Sequence, residues 1–130
     1  MAWQCPPATP PATKGGYMDI YKLVVEFQTK VLGNRPYFDN PDLKEYKFMV
    51  DTLEEEIQEF KDGYANNSFN EMADALIDLI YFALGHSYRM GINFNDNFLL
   101  VHKANMQKIK ANTDRGETDA EKPEGWQEPE

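Results

Sequence analysis

The chain has few of the features that mark secreted, membrane-embedded or nucleic-acid-binding proteins. Its single cysteine, Cys5, excludes an intramolecular disulfide and fits a reducing compartment. No apolar stretch approaches the roughly 20 residues of a membrane span, and no signal peptide is visible. A net charge of −9, from 22 acidic and 13 basic residues, argues against direct binding to nucleic acid. We therefore expect a cytoplasmic protein that binds neither membranes nor nucleic acids.

Composition divides the 130 residues into three segments. Residues 1–17 are rich in proline and predict a flexible leader with nothing to pack. Residues 18–110 show helical periodicity, and residues 111–130 form a polar, acidic tail. The length suits one domain with a modest core.

Apolar spacing in the middle segment predicts four helices. They run over about 19–32, 40–61, 68–88 and 95–110. Asn40 and Pro41 fit a side-chain cap followed by proline at the first helical position. Ser68 and Glu71 fit a capping box, a reciprocal pair of side-chain-to-backbone hydrogen bonds. The sequence shows no strand alternation, and its linkers are short, so we predict an all-α, four-helix bundle with antiparallel neighbours.

The third predicted helix carries an acid in an apolar setting. Asp78 lies in the middle of the apolar run from Ala75 to Leu84. An ionised carboxylate there needs a compensating partner, because removing a lone charge from water is costly. Since apolar residues surround this stretch on nearly all sides, we expect the third helix to be the most buried one.

The second predicted helix supplies further acids. Glu56 falls within its apolar stripe, and Glu59, three positions on, borders that stripe. Two helices that direct carboxylates into a shared interior repel each other unless a cation lies between them. The ligands would all be oxygen, which favours Mg²⁺ or Mn²⁺ over Zn²⁺ or Cu²⁺. We therefore predict a divalent metal site, and with it an enzyme, rather than a solvated acidic face.

Two more acids of the third helix lie on the line of Asp78. Asp74 is four positions before it, and Glu71 lies one turn earlier again. Both are candidate metal ligands. For Glu71 a role in the helix cap competes with the metal role, and the residues leave this choice open.

Four motifs follow one another along the chain. They are Glu-Glu-x-x-Glu at 55–59, Asp-Leu-Ile-Tyr-Phe-Ala-Leu-Gly at 78–85, Val-His-Lys-Ala-Asn-Met-Gln-Lys at 101–108 and Lys-Pro-Glu-Gly-Trp at 122–126. In this order they resemble the all-α nucleoside triphosphate pyrophosphohydrolases, the superfamily of MazG, dimeric dUTPases and phosphoribosyl-ATP pyrophosphohydrolase. The resemblance covers about residues 21–126 and is greatest to small phage and bacterial MazG-like members.

The resemblance implies release of pyrophosphate from a nucleoside triphosphate to leave the monophosphate, with two or three Mg²⁺ or Mn²⁺ ions. It also implies a homodimer or a homotetramer built as a dimer of dimers, because such short bundles complete their core and site across subunits. The protein would act in nucleotide-pool control, in the host cytoplasm if a phage encodes it.

The resemblance assigns roles to the acids of the second helix. Glu56 and Glu59 correspond to the first metal-ligand pair, and Glu55 is the adjacent acid that can hold a further ion. Glu55 or Glu59 would orient or deprotonate the water that attacks the α-phosphorus.

The third helix departs from the family pattern. Asp78 corresponds to the aspartate of the second motif, but the usual glutamate three residues earlier is Ala75. Asp74 is our preferred substitute, because it reaches the same face. A competing register pairs Glu71 with Asp74 and leaves Asp78 as an extra ligand.

The resemblance also implies substrate contacts on the fourth helix and the tail. Asn105 suits a ribose or phosphate oxygen, Lys108 suits a phosphate charge, and His102 could join them. Lys122 and Trp126 either close over a neighbouring subunit's site or anchor the tail.

Phe27 and Gln28 resemble the family's base-facing segment, with an aromatic ring to stack and an amide to read base edges. Gln28 and Asn34 would suit a purine edge, so we favour dGTP and GTP, with the pyrimidine nucleotides dCTP and dUTP as the next choice. Two alternatives from other classes remain: a metal- and nucleotide-binding helical oligomer without turnover, which Ala75 would support, and a structural oligomerisation module.

Overall fold

The computed structural model describes residues 18–110 and 120–126. Within these ranges the helices are α1 Ile20–Lys30, α2 Leu43–Ala65, α3 Phe69–Met90 and α4 Phe94–Asn105, and the strands are β1 Ile109–Lys110 and β2 Ala120–Glu121. The all-α prediction with four helices is confirmed, and the short antiparallel strand pair is an addition to it. The predicted leader at 1–17, and residues 111–119 and 127–130 of the predicted tail, lie outside the described residues.

The Cα packing divides the chain into two compact units, Met1–Ile92 and Asn93–Glu130. The first contains α1, α2 and α3, and the second contains α4 and the two strands. None of the helices in the described ranges combines the length and the hydropathy that a membrane crossing requires.

Close antiparallel packing of α2 against α3 organises the first unit. Glu45 in the first turn of α2 pairs with Arg89 in the last turn of α3 at 2.9 Å. At the other end, a β-carbon on Gly63 would lie 2.9 Å from Met72 Cγ, so glycine is what permits this approach. The predicted end of this helix before Gly63 is therefore wrong, because Gly63 is buried inside α2 and serves helix packing.

Side-chain caps fix the starts of three helices. The caps are Asp19, Asp42 and Ser68, which accept hydrogen bonds from the backbone N–H groups of Lys22, Glu45 and Glu71 at 3.0, 2.8 and 3.2 Å. The predicted cap at Asn40 is wrong, since α2 begins after Pro41 rather than with it. The Ser68 N–H donates to the Gly63 carbonyl at 2.8 Å, so Ser68 makes only the forward half of the predicted capping box.

Helix α1 packs antiparallel to α3 through a small residue of α3. A β-carbon on Gly85 would lie 3.8 Å from Cγ1 of the fully buried Val24 and 2.7 Å from Gln28 Nε2. One turn earlier on α3, Tyr81 meets Phe27 edge-to-face with ring centroids 5.6 Å apart. The glycine therefore allows the Gln28 amide to lie against the α3 backbone.

A single chain buries few of its apolar side chains. The buried ones in the described ranges are Val24, Met49, Ala75 and Leu84. The expectation that α3 is the most buried helix is confirmed, since a smaller share of its residues is exposed than on any other described helix. Its Leu76, Ile77 and Ile80 are nevertheless about half exposed. The reason is that α3 buries only the line that faces α1 and α2.

The second unit is organised around Trp126. Its indole N–H donates to the Ala104 carbonyl of α4 at 3.1 Å, which anchors this part of the tail. Helix α4 ends before the predicted limit near residue 110, because the chain continues into β1. Phe98, Val101 and Met106, which the apolar spacing predicts to face inward, are exposed.

Candidate active site

Three carboxylates from α2 and α3 converge in the first unit. One oxygen from each of Glu56, Glu59 and Asp78 lies within 4.8 Å of the other two. The antiparallel packing places the second half of α2 beside the first half of α3, which is why residues about twenty positions apart in sequence meet here. The structure thus brings together three of the predicted metal ligands.

Glu56 is the buried member of this triad. It is 7% exposed, and its Oε2 has no hydrogen-bond partner in the described part of the chain. Burial, then a hydrogen bond with Glu59, then the charges of Glu59, Asp78 and Glu55, raise the pKa of Glu56 to about 7. A buried, unpartnered carboxylate oxygen is costly. A cation among the three carboxylates would remove that cost.

Asp78 is exposed in the single chain, as Glu59 is. The argument that Asp78 lies in an apolar interior is therefore wrong, and its proximity to Glu56 and Glu59 is what connects it to the site. Partial burial, and then the charges of Asp74 and Glu59, raise the pKa of the Asp78 carboxyl. Asp74 is thus close enough to repel Asp78.

An acidic cleft of about 370 Å³ contains Glu59 as well. Its lining residues are Glu59, Asp62, Asn66, Glu71 and Asp74. The Asn66 Nδ2 donates to Glu71 Oε2 at 3.3 Å. Glu59 belongs both to the triad and to this cleft, which the predicted ligands Glu71 and Asp74 also line. The sequence prediction missed Asp62 and Asn66, although Asp62 repeats the three-residue spacing from Glu56 to Glu59.

A second cavity, of about 300 Å³, lies among α1, the loop that follows it, α2 and α3. Its ring-bearing lining residues are Phe27, Phe48, Tyr81, Phe82 and His86. Its polar lining residues are Gln28, Asn34, Glu45 and Arg89. The Asn34 Nδ2 donates to Gln28 Oε1 at 2.9 Å. The predicted base-facing pair, Phe27 and Gln28, therefore lines an aromatic cavity with few polar groups, which is typical of ligand sites.

His86 forms one wall of this aromatic cavity and was missed by the sequence prediction. Its ring stacks on Phe82, with centroids 6.1 Å apart, and its Nε2 lies 2.7 Å from Thr52 Oγ1. The single Thr52 hydroxyl proton is donated to the Met49 carbonyl at 2.8 Å, so the hydroxyl oxygen accepts from His86 Nε2. Burial lowers the pKa of His86, and the charge of Glu45 partly opposes this effect. The lowered pKa favours a neutral ring.

Arg89 and Glu45 were also missed, since 44 positions separate them and no local pattern connects them. Arg89 donates to Glu45 Oε1 at 2.9 Å and to the Arg35 carbonyl at 3.0 Å. Its guanidinium also lies 5.4 Å from the centre of the Tyr37 ring. It therefore ties the end of α3 to α2 and to the loop before α2.

The remaining predicted contacts belong to the second unit. The ammonium groups of Lys108 and Lys122 lie 5.2 and 4.7 Å from the centre of the Trp126 ring. His102 and Asn105 are exposed near the end of α4. Of the five predicted residues, Lys108 and Lys122 thus lie beside the ring of a third, Trp126.

The sequence model of the phosphoribosyl-ATP pyrophosphohydrolase family matches residues 34–105, more than half of the chain. The chain belongs to this family. No curated protein matches it. Membership of the phosphoribosyl-ATP pyrophosphohydrolase family confirms the resemblance that the motifs indicate, and it makes the protein a member of a pyrophosphohydrolase-type enzyme family that acts on nucleotides.

The family match covers every acid of the triad and of the acidic cleft. It also covers Asn105 and His102 but not Phe27, Gln28 or the residues around the Trp126 ring. The part of the chain that matches the phosphoribosyl-ATP pyrophosphohydrolase family therefore contains the acidic site and most of the lining of the aromatic cavity, and α1 lies outside it.

In chelator, Glu56 should make the protein less stable as the pH rises. Its pKa is raised to about 7 in the folded state, so the folded state binds its proton more tightly than the unfolded chain does. This contribution is fully present below about pH 4.5, the ordinary value for a glutamate, and is lost as the pH rises through 7. We expect Glu56→Gln to flatten the fall in melting temperature across this window, measured by circular dichroism.

Glu54→Gln, at an exposed position of the same helix, is the matched control and should keep the wild-type slope. An unchanged slope in Glu56→Gln would show that Glu56 does not titrate in the folded protein as described.

Proposed function

We propose that the protein hydrolyses a nucleoside or deoxynucleoside triphosphate to the monophosphate and pyrophosphate, in nucleotide-pool control. The observation that carries this is the buried Glu56 carboxylate, whose unpartnered Oε2 a cation would satisfy and which converges with Glu59 and Asp78. Family membership supports the reaction class. A protein with net charge −9 also needs cations to bring a polyphosphate against its carboxylates.

The resident cation in this proposal is Mg²⁺ or Mn²⁺, because every donor of the cluster is a carboxylate oxygen. Glu56, Glu59 and Asp78 would hold one ion, and Glu59 with Asp74 would hold a second or third, with Glu71 as the competing ligand for that position. When bound, such ions supply positive charge to phosphate oxygens and activate water.

Two exposed acids, Glu55 beside the triad and Glu59 within it, are available for proton transfer. Glu55 or Glu59 would orient the attacking water and take its proton on a carboxylate oxygen, as the water attacks the α-phosphorus in line. The bond from the α-phosphorus to the bridging oxygen breaks, and pyrophosphate leaves.

The aromatic cavity would hold the base. Phe48 of the cavity and Glu56 of the triad are eight residues apart on α2, or about 12 Å along the axis at 1.5 Å per residue. This is the order of separation between the base and the phosphates of a nucleotide. We lean to dGTP and GTP, because Gln28 and Asn34 place amides in the cavity.

In the second unit, Lys108 and Lys122 gather two positive charges around Trp126 on an acidic protein. We assign these three residues, with Asn105 and His102, to contacts with the substrate's phosphates and sugar. The second candidate function is nucleotide binding without turnover. It is favoured by Ala75, which is buried where the family resemblance expects a glutamate.

We further propose a homodimer, or a homotetramer built from it, whose core includes the uncovered face of α3. Ile77 and Ile80 are 53% and 48% exposed there, which is unusual for a stable monomer. Ile80→Lys should weaken association by about 10-fold or more, since a buried isoleucine contributes about 1.5–3 kcal/mol. Sedimentation velocity measures this, with Leu43→Lys as a control at another exposed apolar position. Monomeric wild-type protein at tens of micromolar would contradict the proposal.

Turnover should require a divalent ion and the triad. In a panel of nucleoside triphosphates with Mg²⁺ or Mn²⁺, the wild type should release pyrophosphate and the monophosphate, and chelator should stop it. Glu56→Gln or Glu59→Gln should lower the rate by about 100-fold or more, because a lost ligand forfeits several kcal/mol of charge stabilisation. Glu54→Gln should remain active. A near wild-type rate in Glu56→Gln would place the site elsewhere.

Asp74 and Glu71 can be separated by conservative substitutions. If Asp74 replaces the acid missing at Ala75, Asp74→Asn should abolish most of the metal-dependent rate. Glu71→Gln should change it little, since a glutamine can still accept from Asn66 Nδ2. The measurement is the rate against Mg²⁺ concentration for both variants. The reverse result would support the competing register, and loss in both would mean that the three acids share a site with more than one ion.

A further inference from the structure

Glu45 is the one acid among the residues that line the aromatic cavity. Its Oε1 accepts from Arg89, and its Oε2 makes no hydrogen bond in the described part of the chain. The Glu45 side chain is 32% exposed and that of Arg89 is 22% exposed, so this ion pair is partly shielded from water. An ionised carboxylate only accepts hydrogen bonds. The cavity therefore presents fixed acceptors beside its aromatic rings.

We propose that Glu45 determines the base specificity of this site by accepting hydrogen bonds from N1–H and the 2-amino group of guanine. The proposal rests on the proposed function and names its substrate class as guanine nucleotides. Guanine is the common base with two adjacent donors on its Watson–Crick edge. Adenine and cytosine set one amino group beside an acceptor nitrogen, and uracil and thymine flank one N–H with two carbonyls. An acceptor that faces a carboxylate is repelled.

The rest of the cavity wall complements the same base. Guanine O6 lies next to N1–H and needs a donor. Asn34 Nδ2 donates to Gln28 Oε1, and the remaining amide N–H groups of these two residues are donors available to guanine O6. Phe27, Tyr81 and Phe82 supply ring faces and edges for stacking, which is tolerant of base identity. Discrimination between bases therefore depends on the polar groups of the cavity, with Glu45 as the acceptor for the N1–H and 2-amino donors of guanine.

The test compares kcat/KM for dGTP, dITP, dATP, dCTP and dUTP in wild type, Glu45→Gln and Glu54→Gln. The base of dITP differs from guanine only by the missing 2-amino group. We expect the wild type to prefer dGTP over dITP by about 10- to 100-fold, the effect of one hydrogen bond to a charged group. Glu45→Gln should lower the dGTP value by a similar factor while dUTP changes little, so the selectivity collapses. Glu54→Gln, outside the cavity lining, should keep the selectivity of the wild type.

Two results would overturn the proposal while leaving the proposed function intact: equal kcat/KM of the wild type for dGTP and dITP, or an equal loss on all substrates in Glu45→Gln. The second is what a purely structural ion pair predicts. If Glu45→Gln fails to fold, the wild-type ratio of dGTP to dITP decides alone.

If the protein releases pyrophosphate from none of the triphosphates, the proposed function is overturned instead. Calorimetry with dGMP and dIMP then decides the role of Glu45, since the monophosphates need no turnover. Wild-type binding that is at least about 10-fold tighter for dGMP supports the proposal, and equal binding refutes it.

Discussion

Glu56 keeps a carboxylate out of water between α2 and α3, and nothing in the described part of the chain donates to its Oε2. Either a proton or a cation can lower the cost of this arrangement. In the absence of a cation, burial and the neighbouring acids raise the pKa of Glu56 to about 7, so its carboxyl is only partly neutral at physiological pH. A cation would instead have Glu59 and Asp78 beside it as further oxygen ligands. Protons and metal therefore compete for the same oxygens, and metal affinity should fall with acidity.

The α2–α3 pair also sets the order of the two sites along the molecule. The half that contains Gly63 and Met72 carries the acids, and the half that contains Glu45 and Arg89 carries the aromatic cavity. One antiparallel packing thus gives a charged region followed by an apolar one. A nucleotide has the same succession of phosphates and base.

The sequence predicted what depends on local spacing. The Glu56 stripe, the cap at Ser68 and the convergence of Glu59 with Asp78 follow from helical periodicity and short linkers. It did not predict Gly63 inside a helix, because close approach of another helix is a tertiary property. The Glu45–Arg89 pair left no local signal for the same reason.

The high burial of α3 was predicted, but the exposure of Leu76, Ile77 and Ile80 was not, because periodicity gives the apolar faces of a helix and not what covers them.

Arg89 connects three segments at once: the carboxylate of Glu45, the carbonyl of Arg35 and the ring of Tyr37. The Tyr37 N–H in turn donates to the Arg89 carbonyl at 2.8 Å. This bracing fixes the direction of the Glu45 carboxylate before any ligand arrives. The rotamer entropy of that side chain is then lost during folding. If the cavity is the proposed base site, it is preorganised, and this ordering does not reduce its affinity.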